Sequence, residues 1–353
     1  MLGGPANVVL AEEKGDPHAV PEKDKRKLVA SSSQFKPLIT VMTGKLATIV
    51  EVRSSFHAAG ELRRVIRFYN DSPRVDFLTE TNGLPDGTIL SVEFPLADEL
   101  ADMRRGIPYG FSHGDCVKGV PGVTGLTKGI LPAIRWSDYA FKSGGGLAIL
   151  EQGVPARELV GRLAILLLHN VCETYYKFPA TWMGDQRKQS YAYAIFPHAQ
   201  NWAEADIARL AWAYNCPPIT AIGRPEPAPK SFVKTSDNVI VEALRRQDGE
   251  IELRLVECLG QAGQAWVKVN LAHTAAALTD LLGRNPQALP PGQQYTLAVR
   301  PQQIVTMRLT ASAAVPPVQA LRTFDSVIPE AKRGFIRQAR DPKLIGHPPR
   351  RPR

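Results

Sequence analysis

The sequence has few cysteines and no long apolar run. Its 353 residues include four cysteines, none in a Cys-x-x-Cys pair, which argues against a zinc ribbon and a disulfide framework. The longest apolar stretches, such as LAILLL at 163–168, are far shorter than the roughly 18 residues needed to cross a membrane. The N-terminal residues show no basic segment followed by an apolar one, so no secretory signal is expected. These absences predict a cytoplasmic protein that makes no contact with a membrane.

The sequence also lacks the short motifs of several nucleotide- and metal-dependent enzymes. It has no P-loop, no H-E-x-x-H zinc motif and no G-x-G-x-x-G dinucleotide motif. The run Gly144–Gly146 is followed by neither Lys-Ser/Thr nor a helical pattern. It therefore predicts a tight turn between two strands rather than a phosphate cradle.

Positive charge is concentrated at the C-terminus. The chain has a formal net charge of +9, and the segment 332–353 has eight Lys/Arg against Asp341 alone, so it supplies seven of these nine charges. A basic tail can bind nucleic acid or an acidic partner. We expect instead a solvated, poorly ordered tail over 313–353, and nucleic acid is not the expected partner.

Short apolar runs separated by turn residues dominate the rest of the chain, so the predicted fold class is mainly β. The runs LATIVEVR, ELRRVIRFY, RVDFLTET and ILSVEFPL favour an antiparallel β-sandwich. The predicted organisation is an irregular N-terminal arm or truncated start of the sandwich (1–44), a large β-sandwich (45–222), a proline-rich linker (223–230) and a smaller β-domain (231–312). The smaller domain includes a hairpin around the turn QDG, with Ile251, Leu253 and Leu255 inward and Glu252, Arg254 and Glu257 mostly outward.

The pattern NWAEADIARLAWAY at 201–214 predicts a short helix. Asn201 with Glu204 resembles a capping box, and Ile207, Ala211 and Tyr214 share one helical face. Nearby tyrosines and tryptophans of 175–214 could form a sugar-stacking platform, although in a β-protein such residues are more often core.

Residues 105–131 are rich in Gly and Pro and predict a long loop, which suggests a functional segment. Its candidate substrate-facing residues are Arg105, Tyr109, His113 and Asp115. The triplet His113-Gly-Asp115, with Cys116, offers part of a metal site, but a complete site needs three or four ligands. We expect a loop histidine hydrogen-bonded to a local carboxylate, with no metal site.

The stretch FYNDSPRVDFLTETNG at 68–83 contains several carboxylates and an arginine. These could be an acid/base cluster or the solvated face of a strand. The alternation of Val75, Phe77 and Thr79 with Asp76 and Glu80 favours the strand.

Several segments together resemble the C-terminal part of glycoside hydrolase family 38, the α-mannosidases. They include NDSPRVDFLTETN, ILSVEFPL, RRGIPYGF, WSDYAF, YAYAIFPHAQNWAEA and SFVKTSDNVIVEALRRQDGEIELRLVE, in the order in which they recur in the family. The resemblance covers about residues 45–310. It implies a galactose-mutarotase-like sandwich followed by a smaller β-domain, carbohydrate binding and a role in mannose metabolism.

In that family, catalysis belongs to an N-terminal barrel that holds zinc through His and Asp, and a retaining mechanism needs a nucleophile and an acid/base carboxylate. No matching residues occur here, so we expect no catalytic residue and no metal or other cofactor in this chain, with zinc only in the missing domain.

Three interpretations follow from these patterns. The chain is a non-catalytic module that completes a barrel supplied by another chain, a stand-alone carbohydrate-binding β-sandwich, or a scaffold that uses its basic tail. The first predicts an exposed apolar face where the barrel packs. The second predicts exposed tyrosine and tryptophan rings on a concave sheet.

Overall fold

A computed structural model shows a mainly antiparallel β-protein with two domains, each with its own core. The structure describes residues 6–12, 26–58, 60–85, 87–96, 98–113, 130–159, 163–170, 174–175, 178–179, 188–218, 231–247 and 249–312. The predicted linker (223–230), the basic tail (313–353), Asp115 and Cys116 lie outside these residues. Among the described residues, no helix has the length and apolar character of a membrane span.

The large domain is a sandwich of two sheets, with strands numbered in chain order. The larger sheet has nine strands, in the order β3 (Leu38–Thr43), β4 (Ala47–Ser55), β5 (Glu61–Tyr69), β6 (Val75–Thr81), β17 (Gln189–His198), β12 (Gly146–Gln152), β11 (Trp136–Phe141), β8 (Leu100–Ile107) and β9 (Gly110–His113). The smaller sheet has six, in the order β10 (Ile130–Pro132), β13 (Ala156–Leu159), β14 (Leu163–Asn170), β7 (Thr88–Phe94), β1 (Asn7–Glu12) and β2 (Leu28–Ser31). Strands β15 (Thr174–Tyr175) and β16 (Phe178–Pro179) form a separate ribbon.

The sandwich core lies between the two sheets. Strand β7 is buried along its whole length, and residues of the larger sheet such as Phe77, Tyr139 and Tyr193 pack in the same cluster. The rings of Phe77 and Tyr193 stack with centroids 5.3 Å apart. Both rings also contact Phe94 of β7 edge to face, with centroids 5.9 and 6.4 Å apart, so aromatic contacts join the two sheets, as expected for core residues of a β-protein.

Strand β6 settles the alternatives for the charged stretch at 68–83. Phe77, Thr79 and Thr81 are buried, while Asp76 and Glu80 point to the other face. Glu80 accepts a hydrogen bond from Arg63 Nη1 at 2.7 Å on the adjacent strand, which lowers the pKa of Glu80. The carboxylates are paired charges on the outer face of a strand.

Of the two alternatives given for 1–44, an irregular arm or the start of the sandwich, the described residues do not form an irregular arm, since they contribute strands to both sheets of the sandwich. Strand β1 lies between β7 and β2. Its side chains Val8 and Leu10 are fully buried in the sandwich core. A strand covered on both faces is a continuous apolar run without alternation, and this is why NVVLAE shows no strand period.

One helix covers the outer face of the nine-stranded sheet. Helix α1 (Ile207–Asn215) starts six residues after the predicted start. The Asn201 side chain accepts hydrogen bonds from the backbone N–H groups of Ala203 and Glu204, which stabilises a turn before the helix. Its buried face, which includes Ile207 and Ala211, packs with Trp136, Ala148, Leu150, Ala194 and Trp202.

The small domain contains a three-stranded and a five-stranded sheet. The first has the order β18 (Val233–Thr235), β21 (Gly263–Val269) and β24 (Gln294–Val299), and the second β19 (Val239–Gln247), β20 (Glu250–Glu257), β25 (Ile304–Ala311), β22 (His273–Thr279) and β23 (Gln287–Ala288). Strands β19 and β20 form the predicted hairpin.

The outward placement predicted for Glu257 is wrong, whereas Glu252 lies on the face opposite Leu253, as predicted, but is covered by Arg245 and Arg254. Glu252 is only 2% exposed and Glu257 is fully buried. Glu257 accepts hydrogen bonds from the backbone N–H groups of Leu259, Gly260 and Gln302. A buried carboxylate satisfied by backbone donors is a stable arrangement, so Glu257 fixes the two turns at this end of the small domain.

Candidate functional site

The predicted loop 105–131 begins as a β-hairpin. Strands β8 and β9 pair through Arg104 with His113 and through Ile107 with Gly110, which leaves Pro108 and Tyr109 as a two-residue turn. The prediction of a loop is therefore wrong at both ends, since β10 occupies Ile130–Pro132, and residues 114–129 lie outside the described residues. Short strands joined by Gly and Pro do not show an alternation long enough to be detected.

The hairpin separates the predicted substrate-facing residues. Arg105 lies within β8, and its Nη1 donates a hydrogen bond to the Pro132 carbonyl at 2.5 Å. His113 is the register partner of Arg104, so Arg105 and His113 point to opposite faces. His113 Nε2 lies 3.4 Å from Asp102 Oδ2. These residues do not form one site, and among the described residues no group of three or more His, Cys, Asp or Glu side chains is arranged to hold a metal.

The pentapeptide Gly110–Gly114 has the G-x-S-x-G spacing of hydrolase nucleophile elbows. In such elbows, the serine sits on a sharp turn between a strand and a helix. Ser112 instead lies within β9 and pairs in register with Arg105. The strand position of Ser112 does not support a role as nucleophile.

Tyr109 occupies a backbone conformation that favours glycine. Its φ is 60°, and it follows a proline at the second central position of the turn, where Gly or Asn is usual. The side chain is 45% exposed. A bulky residue with positive φ costs of order 1–3 kcal/mol, and such residues cluster at functional sites.

The hairpin tip lines a pocket of about 230 Å³ between the sandwich, helix α1 and the small domain. The sandwich contributes Tyr109, Arg135 and Trp136, helix α1 contributes Trp212, and the small domain contributes Glu242. Ile107 and Ile134 are 39% and 41% exposed at the same place. The pocket thus combines aromatic and aliphatic walls with one pair of charged groups.

Arg135 joins the two domains across this pocket. Its guanidinium lies 4.0 Å from the centroid of the Trp212 ring, and its Nη1 lies 3.2 Å from Glu242 Oε1. Arg135 also has a positive φ of 68°. The buried carboxylate of Glu151 accepts hydrogen bonds from the backbone N–H groups of Arg135 and Val154, which holds this strained turn in place.

A buried ion pair lies on the outer face of the sandwich. His198 Nε2 is 2.7 Å from Asp138 Oδ1, with both side chains nearly inaccessible, and His198 Nδ1 is 2.8 Å from the Gln200 carbonyl. Both partners are acceptors, so with Asp138 ionised both ring nitrogens donate. Burial opposes the charged ring, but the hydrogen bond and charge of Asp138 outweigh it and raise the pKa of His198.

An apolar surface is exposed at the far edge of the nine-stranded sheet. Ile39 and Val41 of β3 are 55% and 59% exposed, and Phe68 of β5 is 44% exposed. The register places them on the same face as Ile66 and Phe77, which contact the sandwich core. We call Ile39, Val41, Val50, Val52 and Phe68 the overhang face, since no strand of the described part of the six-stranded sheet covers the nine-stranded sheet here as it does at the core.

Comparison with known proteins agrees with this architecture. Residues 238–307 match the family model "Glycosyl hydrolases family 38 C-terminal beta sandwich domain". The chain is 27% identical over 224 residues to the alpha-mannosidase 2C1 of Homo sapiens, and 30% identical over 162 residues to that of Mus musculus. The solved alpha-mannosidase of Enterococcus faecalis V583 superposes with a TM-score of 0.70 at 14% identity over 86% of this chain. Residues 238–307 therefore correspond to a family 38 C-terminal β-sandwich domain.

The aligned part of the chain corresponds to a small part of these relatives. The alignments cover 60% and 42% of this chain but only 20% and 15% of the two curated relatives. They cover 38% of the E. faecalis alpha-mannosidase structure and 40% of a second E. faecalis structure described as a family 38 protein, at a TM-score of 0.69. The greater part of each relative lies outside the matched region.

Most of the pocket could not be predicted from the sequence. Tyr109 was selected for its place in a Gly- and Pro-rich segment, but Arg135, Trp212 and Glu242 lie far apart in sequence. The Arg135 backbone conformation and the contact between domains have no local sequence signal. Buried Tyr191, Tyr193 and Trp202 agree with the core interpretation of the aromatic residues, while Trp182 lies outside the described residues.

Proposed function

We propose that this chain is the non-catalytic C-terminal module of a family 38 α-mannosidase and that it completes a catalytic barrel supplied by another chain. The enzyme would be a retaining glycoside hydrolase acting on mannose-containing glycans, with zinc and the two reacting carboxylates in the barrel. The names of the curated relatives and the family 38 match support this proposal. No residue of this chain is proposed to be catalytic.

The overhang face is the observation that carries the proposal. Ile39, Val41 and Phe68 are about half exposed on one contiguous sheet face, and contiguous exposed apolar surface marks interaction sites. Complete burial of such side chains contributes about 1.5–3 kcal/mol each, so covering the remaining half of three of them contributes roughly 2–4 kcal/mol. A catalytic domain is the partner we assign, since more than half of each solved relative lies outside the matched region.

The proposal is tested by α-mannoside hydrolysis. We expect no turnover of an aryl α-mannoside by this chain alone and turnover when it is mixed with the family 38 barrel from the same genome. Turnover by this chain alone would overturn the proposal. Failure of the two proteins to associate at micromolar concentration would also overturn it.

Val41→Lys tests the surface itself, and Thr40→Lys is its matched control. Both residues are exposed on β3 and adjacent in sequence, but they point to opposite faces. Thr40 pairs in register with Glu51, so the new lysine has an acidic neighbour. We expect V41K to weaken association with the barrel at least tenfold and T40K to leave it within about twofold, with thermal stability similar in both.

A further inference from the structure

We infer that the pocket between the hairpin tip, helix α1 and the small domain binds one neutral hexopyranose unit of a glycan. The pocket lies where two domains meet, which is a preferred place for small-molecule sites. This inference does not depend on the docking of a catalytic barrel. It concerns residues at the opposite edge of the nine-stranded sheet from the overhang face.

The size of the pocket limits the ligand. Its volume of about 230 Å³ is below the roughly 300–1,000 Å³ of pockets that hold drug-sized molecules. One monosaccharide ring fits such a volume and an extended oligosaccharide does not. The exposed Ile107, Tyr109 and Ile134 form the outer rim, where the next sugar of a chain would leave the pocket.

The lining chemistry matches a neutral sugar. The half-exposed ring of Tyr109 offers an apolar face for the C–H side of a pyranose. Trp136, which is stacked on Trp202, and Trp212, whose ring lies under the Arg135 guanidinium, complete the apolar wall. The Arg135 and Glu242 pair supplies hydrogen-bond donors on one group and acceptors on the other, which suits two neighbouring hydroxyls. Since the two charges cancel, the pocket has no excess charge that would favour an anionic ligand.

Backbone strain gives an independent reason to expect a ligand here. Tyr109 and Arg135 both have positive φ, and both line this pocket. Each such residue costs of order 1–3 kcal/mol, and strain of this kind is typical of ligand clamps. Glycine would satisfy either turn without strain. The exposed ring of Tyr109 therefore has a stability cost that a purely structural turn does not require.

The test is a titration of the full chain with a sugar, in which binding is monitored through the indole N–H signals of the tryptophans in two-dimensional NMR. The probe is methyl α-D-mannopyranoside, and mannitol, an open-chain polyol without the pyranose ring, is the control ligand. We expect saturable shifts of the Trp212 and Trp136 signals in the millimolar range and none with mannitol. Trp266, which is 39% exposed on β21, serves as an internal reference whose signal should not move.

Tyr109→Gly is the decisive variant, since relief of the positive φ offsets the lost side-chain contacts and keeps its stability within about 1 kcal/mol of the parent. We expect Y109G to weaken binding at least tenfold, whereas Trp266→Phe binds like the parent. Absence of saturation in the parent chain overturns the inference, as does equal binding by Y109G. Since this titration uses the chain alone, its failure would leave the association test with the barrel unaffected.

Discussion

The Asp138–His198 pair is expected to be a main determinant of sandwich stability and of its pH dependence. His198→Phe keeps a ring of similar size on β17 but leaves the Asp138 carboxylate buried without its counter-ion. Removal of one partner from a buried ion pair costs about 3–5 kcal/mol. The side chains of His198 and Asp138 are 2% and 1% exposed, so solvent does not replace the lost partner. We therefore expect H198F to lower the free energy of unfolding by that amount.

The pH dependence has a defined sign. Because the pKa of His198 is raised in the folded state, the pair contributes its full stability below the unfolded pKa of about 6.5. That stability is lost as pH rises through the folded pKa, by at most about 1.4 kcal/mol per pH unit. Arg104, the register partner of Asp138, pairs with Asp102.

Urea unfolding followed by tryptophan fluorescence between pH 6 and 9 is the appropriate assay, because Trp136 and Trp202 lie in the same layer as the pair. The control is the double variant Asp138→Asn/His198→Phe, in which the buried charge is removed together with its partner. We expect it to be more stable than H198F alone. The reasoning is refuted if H198F costs less than 1 kcal/mol, or if the parent and H198F show the same pH dependence.

Two further predictions concern turns. Gly145→Ala should lower the free energy of unfolding by several kcal/mol and Gly153→Ala by about 1–2 kcal/mol. Both glycines have positive φ, but an added Cβ at Gly145 would lie 2.6 Å from the His198 carbonyl oxygen, while nothing lies within 4 Å at Gly153. Equal melting temperatures for the two variants would contradict this prediction. Glu257→Gln should lower the stability of the small domain by about 1.5–3 kcal/mol, because the Glu257 carboxylate accepts three backbone hydrogen bonds. An unchanged unfolding transition of the small domain in calorimetry would contradict this prediction.

The fold class could be predicted from the sequence because most strands keep their alternation. Strand β6 has Phe77 and Thr79 buried and Glu80 outward, as the pattern indicates, and the hairpin β19–β20 follows its turn signal. The failures have a common physical cause. Strand β1 is covered on both faces, and Glu257 is buried against backbone donors from distant turns. Tertiary contacts determine the burial of β1 and of Glu257, and the local sequence periodicity does not indicate these contacts.

The candidate site was harder to predict for a related reason. Arg105, Tyr109 and His113 are close in sequence, but strand alternation places Arg105 and His113 on opposite faces of one sheet. The residues that do meet, Tyr109, Arg135 and Trp212, come from three separate segments. Their meeting depends on how helix α1 and the small domain pack on the sandwich, which no motif in the sequence specifies.

The sheet order separates the two surfaces proposed here and constrains how they can work together. The overhang face begins at edge strand β3 and extends over β4 and β5. The hairpin turn that contains Tyr109 leads into β9, which is the other edge strand of the nine-stranded sheet. Eight strand spacings of about 4.8 Å place them roughly 35–40 Å apart. A barrel docked on the overhang face would therefore meet the pocket only if it wrapped around the sandwich. If it does not, V41K should weaken association while sugar binding persists, and Y109G should weaken sugar binding while association persists. Loss of both properties in either variant would show that one partner covers both edges.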